Sequence, residues 1–330
     1  MESDDEVTIE GDQAFRAEQL DANWPEMTYG GALSFLRRRY TRDLTGVDVA
    51  VSGIPFDSAT SNRGGAREGP RAIRAASTQL AELSSFPFGF DPLQALKVID
   101  YGDCFLDFGY PHHVVEAVEA HADTILQAGV SMLTFGGDHF VTYPLLRAHA
   151  KKYGKLSLVH FDAHSDTWPD DGERFDHGSM FLRASREGLI DPSRSVQIGI
   201  RTANSSTHGF NILSAPWVHE HGIAATVEQI RRIVGDHQAY LTFDIDCLDP
   251  AFAPGTGTPV VGGLSSGQAL GILRQLAGID FVGADVVEVA PAFDQAEVTA
   301  IAAATVAYDY LCLRAIRAGA QPTDMGPTYF

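Results

Sequence analysis

Two short segments of the sequence place side chains that bind metals two residues apart. One segment contains Asp162, His164 and Asp166, and the other contains Asp244 and Asp246. Each follows a hydrophobic run that we expect to be a strand, where positions i, i+2 and i+4 project to one face. So many acidic groups on one face would repel one another without a cation between them. The spacing therefore predicts a metal site.

Two further positions extend this set. His139 follows Gly136-Gly137-Asp138 at the end of another predicted strand, and Glu288 follows a fourth. Considered by itself, Glu288 would be a surface or structural acid. Its place at the end of a predicted strand, beside the other acidic ends, favours contact with a substrate instead.

The expected ligands are two imidazoles and four carboxylates, without a cysteine. They are His139, Asp162, His164, Asp166, Asp244 and Asp246. Six groups are too many for one catalytic ion that keeps an open position, so they suit two ions that share bridging carboxylates. Mixed nitrogen and oxygen ligands favour Mn²⁺, with Ni²⁺, Zn²⁺ and Fe²⁺ as alternatives. Two such ions can hold a bridging water as hydroxide near neutral pH, a nucleophile that requires no serine or cysteine.

Eight hydrophobic segments are predicted strands, and helical patterns lie between most of them. The strands are 47–53, 96–100, 130–135, 156–161, 195–200, 215–219, 239–243 and 281–287. The helices are one that opens at Pro70 and those at 113–127, 142–149, 224–234, 265–276 and 295–318. Several strands are continuously apolar, which is typical of parallel sheets covered on both faces. We predict a single-domain, three-layer α/β/α fold with a mostly parallel sheet of about eight strands. Its ligands should bind at the carboxyl ends of the strands.

Composition argues against several classes of partner. The chain of 330 residues has a formal net charge of −19, which disfavours nucleic acid because phosphates require a basic surface. No apolar run reaches the roughly 20 residues that span a bilayer. The acidic residues 2–6 are unlike the basic start of a signal peptide. Cys104, Cys247 and Cys312 lack the spacing of a disulfide framework or redox motif. We expect a cytoplasmic protein without membrane or nucleic-acid partners.

The longer motifs resemble the ureohydrolases, the arginase–agmatinase family of binuclear manganese enzymes, with the bacterial agmatinases as the most similar subgroup. The matching segments are 64–74, 136–139, 162–166 and 243–259. The similarity runs from about residue 33 to about residue 318. It implies a catalytic domain of arginase-like fold over 33–330, and the polar, irregular residues before it predict an N-terminal arm over 1–32, partly disordered. It also implies a homotrimer or a homohexamer.

The resemblance implies roles for the matching positions. The first metal ion would be bound by His139, Asp162, Asp166 and Asp244, and the second by His164, Asp162, Asp244 and Asp246. Asp166 would also carry the proton from the attacking hydroxide to the leaving amine. Glu288 would pair with the guanidinium of the substrate. His177 reads as an ordinary loop histidine by itself, but it matches the proton-shuttle histidine of the family.

The loop 167–176 bears on the choice of substrate, because it has four carboxylates and one arginine. Opposite charges favour a small cationic guanidino substrate and disfavour one that ends in a carboxylate. We therefore expect hydrolysis of agmatine to putrescine and urea, with guanidinobutyrate, guanidine or arginine as alternatives if the loop is merely solvated. A hypothesis from another class is a catalytically silent homologue that acts by binding. Loss of a metal ligand would favour that hypothesis, and all six are present.

Overall fold

The computed structural model describes residues 29–82 and 84–323, so most of the predicted N-terminal arm lies outside the described residues. Within them, one sheet contains eight strands, and every pairing between neighbours is parallel. The strands are β1 (Val49–Ile54), β2 (Val98–Asp103), β3 (Ser131–Gly136), β4 (Ser157–Phe161), β5 (Val196–Ile198), β6 (Asn211–Leu213), β7 (Ala239–Asp244) and β8 (Phe281–Val287). Their order across the sheet is β2-β1-β3-β8-β7-β4-β5-β6.

Seven α-helices are described, and they cover both faces of the sheet. They are α1 (Gly69–Ser77), α2 (Val114–Gln127), α3 (Thr142–Tyr153), α4 (Met180–Arg186), α5 (Ala215–Val234), α6 (Ser266–Leu273) and α7 (Val298–Arg317). Helices α1, α5, α6 and α7 form one layer, and α2, α3 and α4 form the other. Two of the helices begin with residues that are typical of helix starts. Pro70 lies in the first turn of α1, and Ser265 with Gln268 forms a capping box at α6.

Strand side chains alternate between two hydrophobic cores, one on each face of the sheet. On β7, Leu241 and Phe243 belong to the core beneath α5–α7, whereas Tyr240 belongs to the core beneath α2–α4. Because both faces are covered, the central strands are buried along their whole length. This explains their continuous hydrophobicity and confirms the predicted three-layer fold.

The predicted strand at 215–219 is wrong. These residues form the first turns of α5, and the sixth strand is the shorter Asn211–Leu213. The side chain of Ser214 accepts a hydrogen bond from the backbone N–H of Trp217, and Pro216 lies in the first turn, which are both signals of a helix start. A short apolar run cannot be assigned to strand or helix by periodicity alone. Helix α4 was not predicted, because its seven residues form less than two full turns and are too few to show a helical hydrophobic periodicity.

Helix α7 is the one described helix that is long and apolar enough, by length and composition, to cross a membrane. In the fold, 72% of its most apolar window is buried. It packs against α1, α6 and β8. Its hydrophobicity is therefore explained by its place in a core layer.

The order of the strands brings the predicted site residues together. The segments that carry them follow β3, β8, β7 and β4, which are consecutive neighbours in the middle of the sheet. Since all these strands are parallel, their carboxyl ends meet at one edge. Segments that are more than one hundred residues apart in the chain, such as those of His139 and Asp244, therefore share one site.

Candidate metal and active site

The first group of site residues surrounds one nitrogen of His139. Its Nδ1 atom lies 3.0 Å from a carboxylate oxygen of Asp162, 3.0 Å from one of Asp166 and 3.2 Å from one of Asp244. Nδ1 is buried and makes no hydrogen bond with any group that the structure describes. Three carboxylate oxygens and one imidazole nitrogen thus lie close together, as the ligand atoms of a bound cation do.

A second group contains Asp162, His164 and Asp246. The Nδ1 atom of His164 lies 3.3 Å from Oδ1 of Asp162 and 3.1 Å from Oδ2 of Asp246. Asp162 belongs to both groups, with Oδ2 near His139 and Oδ1 near His164. It is therefore placed to bridge two ions. For Asp244 the arrangement is less symmetric, because its Oδ1 accepts the backbone N–H of Asp246 at 2.8 Å while its Oδ2 faces His139.

The pKa values of these carboxyls show the repulsion between them. Burial, followed by the charges of Asp246 and Asp162, raises the pKa of Asp244 well above its ordinary value. Burial and Asp162 raise the pKa of Asp166 to about 7. A divalent cation would remove this repulsion by supplying positive charge between the acids. The donor set therefore fits metal ions.

Two site residues have a left-handed backbone. Asp166 has φ of +51° and Glu288 has φ of +64°, a region that costs a residue with a side chain about 1 kcal/mol or more. At Glu288 the conformation is held by its N–H, which donates to the carbonyl oxygen of Gly137 at 2.9 Å. Its carboxylate Oε1 in turn accepts the backbone N–H of His139 at 2.9 Å. The ends of β3 and β8 are thus tied together.

A cavity of about 300 Å³ opens above the metal-binding groups. It is lined by Ser61, His164, Asp166, Trp168, Asp176, His177, Gly178, Asp244 and Thr258. Glu288 is not among these residues, since it lies beneath His177 and is only 1% exposed. Its Oε2 atom is buried and has no hydrogen-bond partner among the described residues. That oxygen is available to a donor that enters past His177.

The ring of His177 links the cavity to Glu288. Its Nδ1 lies 2.8 Å from Oε1 of Glu288, and its Nε2 accepts the backbone N–H of Ser61 at 3.0 Å. The amide of Ser61 places the proton of the neutral ring on Nδ1, from which it donates to Glu288. Burial lowers the pKa of His177, but the charge of Glu288 outweighs it and raises this pKa to about 9. His177 and Glu288 can therefore share a proton beside the cavity.

The acidic loop 167–176 contributes less to the cavity than its composition suggests. It is described throughout, and of its four carboxylates only Asp176 lines the cavity. Asp170 pairs with Arg183 at 3.2 Å, and Asp171 accepts N–H groups of its own turn. The expectation of a cationic substrate therefore depends on Asp176, beside Trp168, rather than on the loop as a whole.

Sequence analysis missed His160, Thr242 and Asp285, which lie behind the predicted ligands. His160 Nε2 lies 2.7 Å from Oδ2 of Asp162, and its Nδ1 accepts from the side chain of Gln197 at 3.1 Å. It therefore donates a hydrogen bond to the shared carboxylate. A signal was present, because His160 and Asp285 are polar residues within otherwise apolar strands, and His160 is two residues before Asp162.

Comparison with known proteins identifies the class. The model of the Arginase family matches residues 47–312, and the chain belongs to this family. It is 60% identical to the agmatinase of Chromobacterium violaceum over 307 residues, which are 92% of this chain and 95% of that protein. It is 56% identical to the agmatinase of Escherichia coli O7:K1 over 273 residues, which are 82% of this chain and 89% of that one.

Solved structures agree with this result. A hypothetical agmatinase from Burkholderia thailandensis aligns with a TM-score of 0.88 at 64% identity, and covers 88% of this chain and 94% of its own. Proclavaminate amidino hydrolase from Streptomyces clavuligerus aligns with a TM-score of 0.82 at 38% identity, and covers 87% and 98% respectively. The chain is thus a ureohydrolase of arginase-like fold that resembles the bacterial agmatinases, and its buried His/Asp cluster supports a binuclear metal site.

Proposed function

We propose that this protein hydrolyses agmatine to putrescine and urea with two Mn²⁺ ions per subunit. The observation that carries the proposal is the convergence of three carboxylates on Nδ1 of His139, with Asp162 shared by the group around His164. The high identity to agmatinases supports the substrate. The mixed ligands favour Mn²⁺ over Ni²⁺, Zn²⁺ and Fe²⁺.

All six predicted ligands have a place in this proposal. One ion would be held by His139, Asp162, Asp166 and Asp244, and the other by His164, Asp162, Asp244 and Asp246. When bound, such ions lower the pKa of a water so that hydroxide is available near neutral pH. The remaining tasks belong to side chains: binding the guanidinium, moving protons and selecting the tail of the substrate.

Glu288 binds the guanidinium of the substrate in this mechanism. Its Oε1 already accepts from His139 and His177, so the free Oε2 accepts the N–H of the substrate. Space beside Oε2 depends on Gly257, because a Cβ atom there would lie 3.4 Å from this oxygen and 2.8 Å from the carbonyl oxygen of Arg63. A buried carboxylate with one free oxygen suits a cation that brings its own donors.

Asp166 and His177 move protons. Asp166 lines the cavity, so its carboxyl can exchange a proton with a substrate that is bound there. We assign it the transfer to the leaving amine. His177 lies between Glu288 and the cavity, where it exchanges protons with solvent. The product amine then leaves as an ammonium ion, past Asp176.

The proposal is tested by measuring urea release from agmatine, arginine, guanidinobutyrate and guanidine. Protein stripped of metal is assayed before and after addition of Mn²⁺ or Ni²⁺. We expect release from agmatine that requires metal and is greatest with Mn²⁺. Greater urea release from another guanidino compound would identify that compound as the substrate instead. No release from any of them would favour the catalytically silent homologue. By analogy with the family, we further propose a cytoplasmic homotrimer or homohexamer that serves polyamine biosynthesis.

A further inference from the structure

A row of polar side chains crosses the sheet directly beneath the metal-binding groups. Its members come from six adjacent strands and are in register: Ser52, Thr134, Asp285, Thr242, His160 and Gln197. Every one of them is 0% exposed. None of them is among the residues that line the cavity. Because buried polar groups are costly unless each is satisfied, the row requires an explanation beyond packing.

The centre of the row is the carboxylate of Asp285. Its Oδ2 accepts hydrogen bonds from the hydroxyls of Thr142 at 2.9 Å and Tyr240 at 3.0 Å. Its Oδ1 accepts from the hydroxyl of Thr242 at 2.6 Å. The carboxylate is thereby held by three donors from α3 and β7, and its position is determined by the sheet.

The hydrogen bonds of Thr242 determine which nitrogen of His139 carries its proton. A threonine hydroxyl has one hydrogen, and that of Thr242 is donated to Asp285. Its oxygen lies 2.8 Å from Nε2 of His139, so it must accept the N–H of the ring. A histidine that ligates a metal through Nδ1 is neutral, so its one N–H is this Nε2–H, and Nδ1, which faces the three carboxylates, offers the lone pair.

We propose that Asp285 and Thr242 are positioning residues that hold His139 as a metal ligand, by fixing both its ring orientation and its tautomer. This inference depends on the metal site of the proposed function. A ligating histidine commonly donates its second N–H to such a partner, and removal of the partner typically weakens metal binding by about 10–100-fold. The pair therefore acts through His139 and does not touch the substrate.

The chain offers a matched control for this proposal. Thr142 and Thr242 are both 0% exposed, and each donates one hydrogen bond to Asp285. In the described structure only Thr242 also bonds to the ring of His139. Thr142→Val and Thr242→Val make the same chemical change, and each removes one hydrogen bond to Asp285. Thr242→Val also removes the contact to His139 on which the proposal depends.

The first readout is Mn²⁺ binding to protein stripped of metal, measured from free Mn²⁺ by electron paramagnetic resonance. Thr242→Val should raise the dissociation constant of one ion by about 10–100-fold, whereas Thr142→Val and Thr242→Ser should bind like the unaltered protein. Asp285→Asn should resemble Thr242→Val, since an amide that donates to Thr242 would turn its hydroxyl toward His139. Equal losses in the two valine variants, or unaltered binding in Thr242→Val, would overturn the proposal.

A second readout requires no metal. In metal-free protein with ¹⁵N-labelled histidine, the His139 signals can be assigned by their loss in His139→Asn. In the unaltered protein Nε2 should carry a proton that is hydrogen-bonded to Thr242, whether or not the three carboxylates also place a proton on Nδ1, and Thr242→Val should lose this hydrogen bond. An Nε2 without a proton in the unaltered protein would refute the proposal even if Thr242→Val failed to fold. If Nε2 is protonated as expected but no Mn²⁺ binds and no urea forms, the proposed function has failed and not the assignment of the hydrogen bond.

Discussion

The floor and the rim of the cavity are built in different ways. The floor consists of the six groups that follow the strand ends: His139, Asp162, His164, Asp166, Asp244 and Asp246. The rim consists of residues from loops: Ser61, Trp168, Asp176, His177 and Thr258. Floor residues are nearly all buried, and their supports belong to the sheet, as Thr242 and Asp285 do. Rim residues are held by contacts between loops, as between Ser61 and His177, or within one loop, as between Asp176 and the backbone of Gly178. This difference suggests that the floor carries the hydrolytic chemistry and the rim selects the substrate.

The largest effect is expected from Asp166, which belongs to the floor and also lines the cavity. Asp166→Asn keeps the shape of the side chain but cannot carry the proton to the leaving amine. We expect kcat for urea release to fall by roughly 10²–10⁴-fold, while the protein keeps part of its Mn²⁺. Steady-state assays together with metal analysis check this, and full activity in the variant would remove Asp166 from the mechanism.

A smaller loss is expected when the charge of Glu288 is removed. Glu288→Gln weakens a charge-assisted hydrogen bond to the guanidinium, which corresponds to about 2–3 kcal/mol, or roughly 100-fold in kcat/KM. The variant also removes the charge that raises the pKa of His177 and leaves burial, which lowers it. Where ionisation of His177 controls a limb of the pH–rate profile, the apparent pKa of that limb should therefore be lower in the variant. Glu187→Gln, away from the cavity, is the control and should behave as the unaltered protein.

A change at the rim should affect the choice of substrate more than the rate. Asp176→Asn removes the one loop carboxylate that lines the cavity, so KM for agmatine should rise by about five- to tenfold with little change in kcat, as for a partly exposed ion pair of about 1 kcal/mol. Asp171→Asn is the matched control, because both carboxylates accept backbone N–H groups of their own turns but only Asp176 lines the cavity. An equal rise of KM in both variants would mean that the loop acts through its total charge.

A separate effect concerns stability rather than catalysis, and it lies behind the floor. His149 is 0% exposed and packs edge-on against Tyr240, a donor to Asp285, and burial lowers its pKa from 6.5 to about 4. The unfolded chain therefore binds one more proton than the folded chain between these pH values. The stabilisation is complete above pH 6.5 and is lost as the pH falls toward 4, by about 2 kcal/mol at pH 5.

Urea unfolding at pH 7 and pH 5 tests this contribution. His149→Gln should lose less stability than the unaltered protein between the two pH values. Other titrating groups contribute equally to both proteins, so the difference isolates His149. If both lose the same free energy of unfolding, the ring is not held neutral by the fold.

The sequence predicted the floor better than the rim, for a physical reason. Alternation along a strand is a local property, so the i, i+2 spacing of Asp162, His164 and Asp166 could be recognised without a structure. The row that contains Thr242 and Asp285 depends on register between strands that are distant in the chain, which no local pattern records. The fold class was predicted for the same reason, although the segment 215–219 was assigned to a strand.

At the rim, the charge of a loop did not indicate where its side chains point. Four carboxylates suggested a uniformly acidic wall, but Asp170 pairs with Arg183 of α4 and Asp171 accepts backbone N–H groups of its own turn. Short polar side chains readily bond to nearby backbone and side-chain groups, so composition overestimates what a loop presents to a ligand. Asp176 could not be distinguished from its neighbours by sequence alone.

The most direct test of the central claim is a titration of Mn²⁺ into protein stripped of metal, in which bound Mn²⁺ and urea release from agmatine are measured on the same samples. If the floor is a binuclear centre, activity should appear as the bound metal rises to two equivalents per subunit, and chelation should abolish it. Urea release that persists without metal, or two bound equivalents without any urea, would contradict the account.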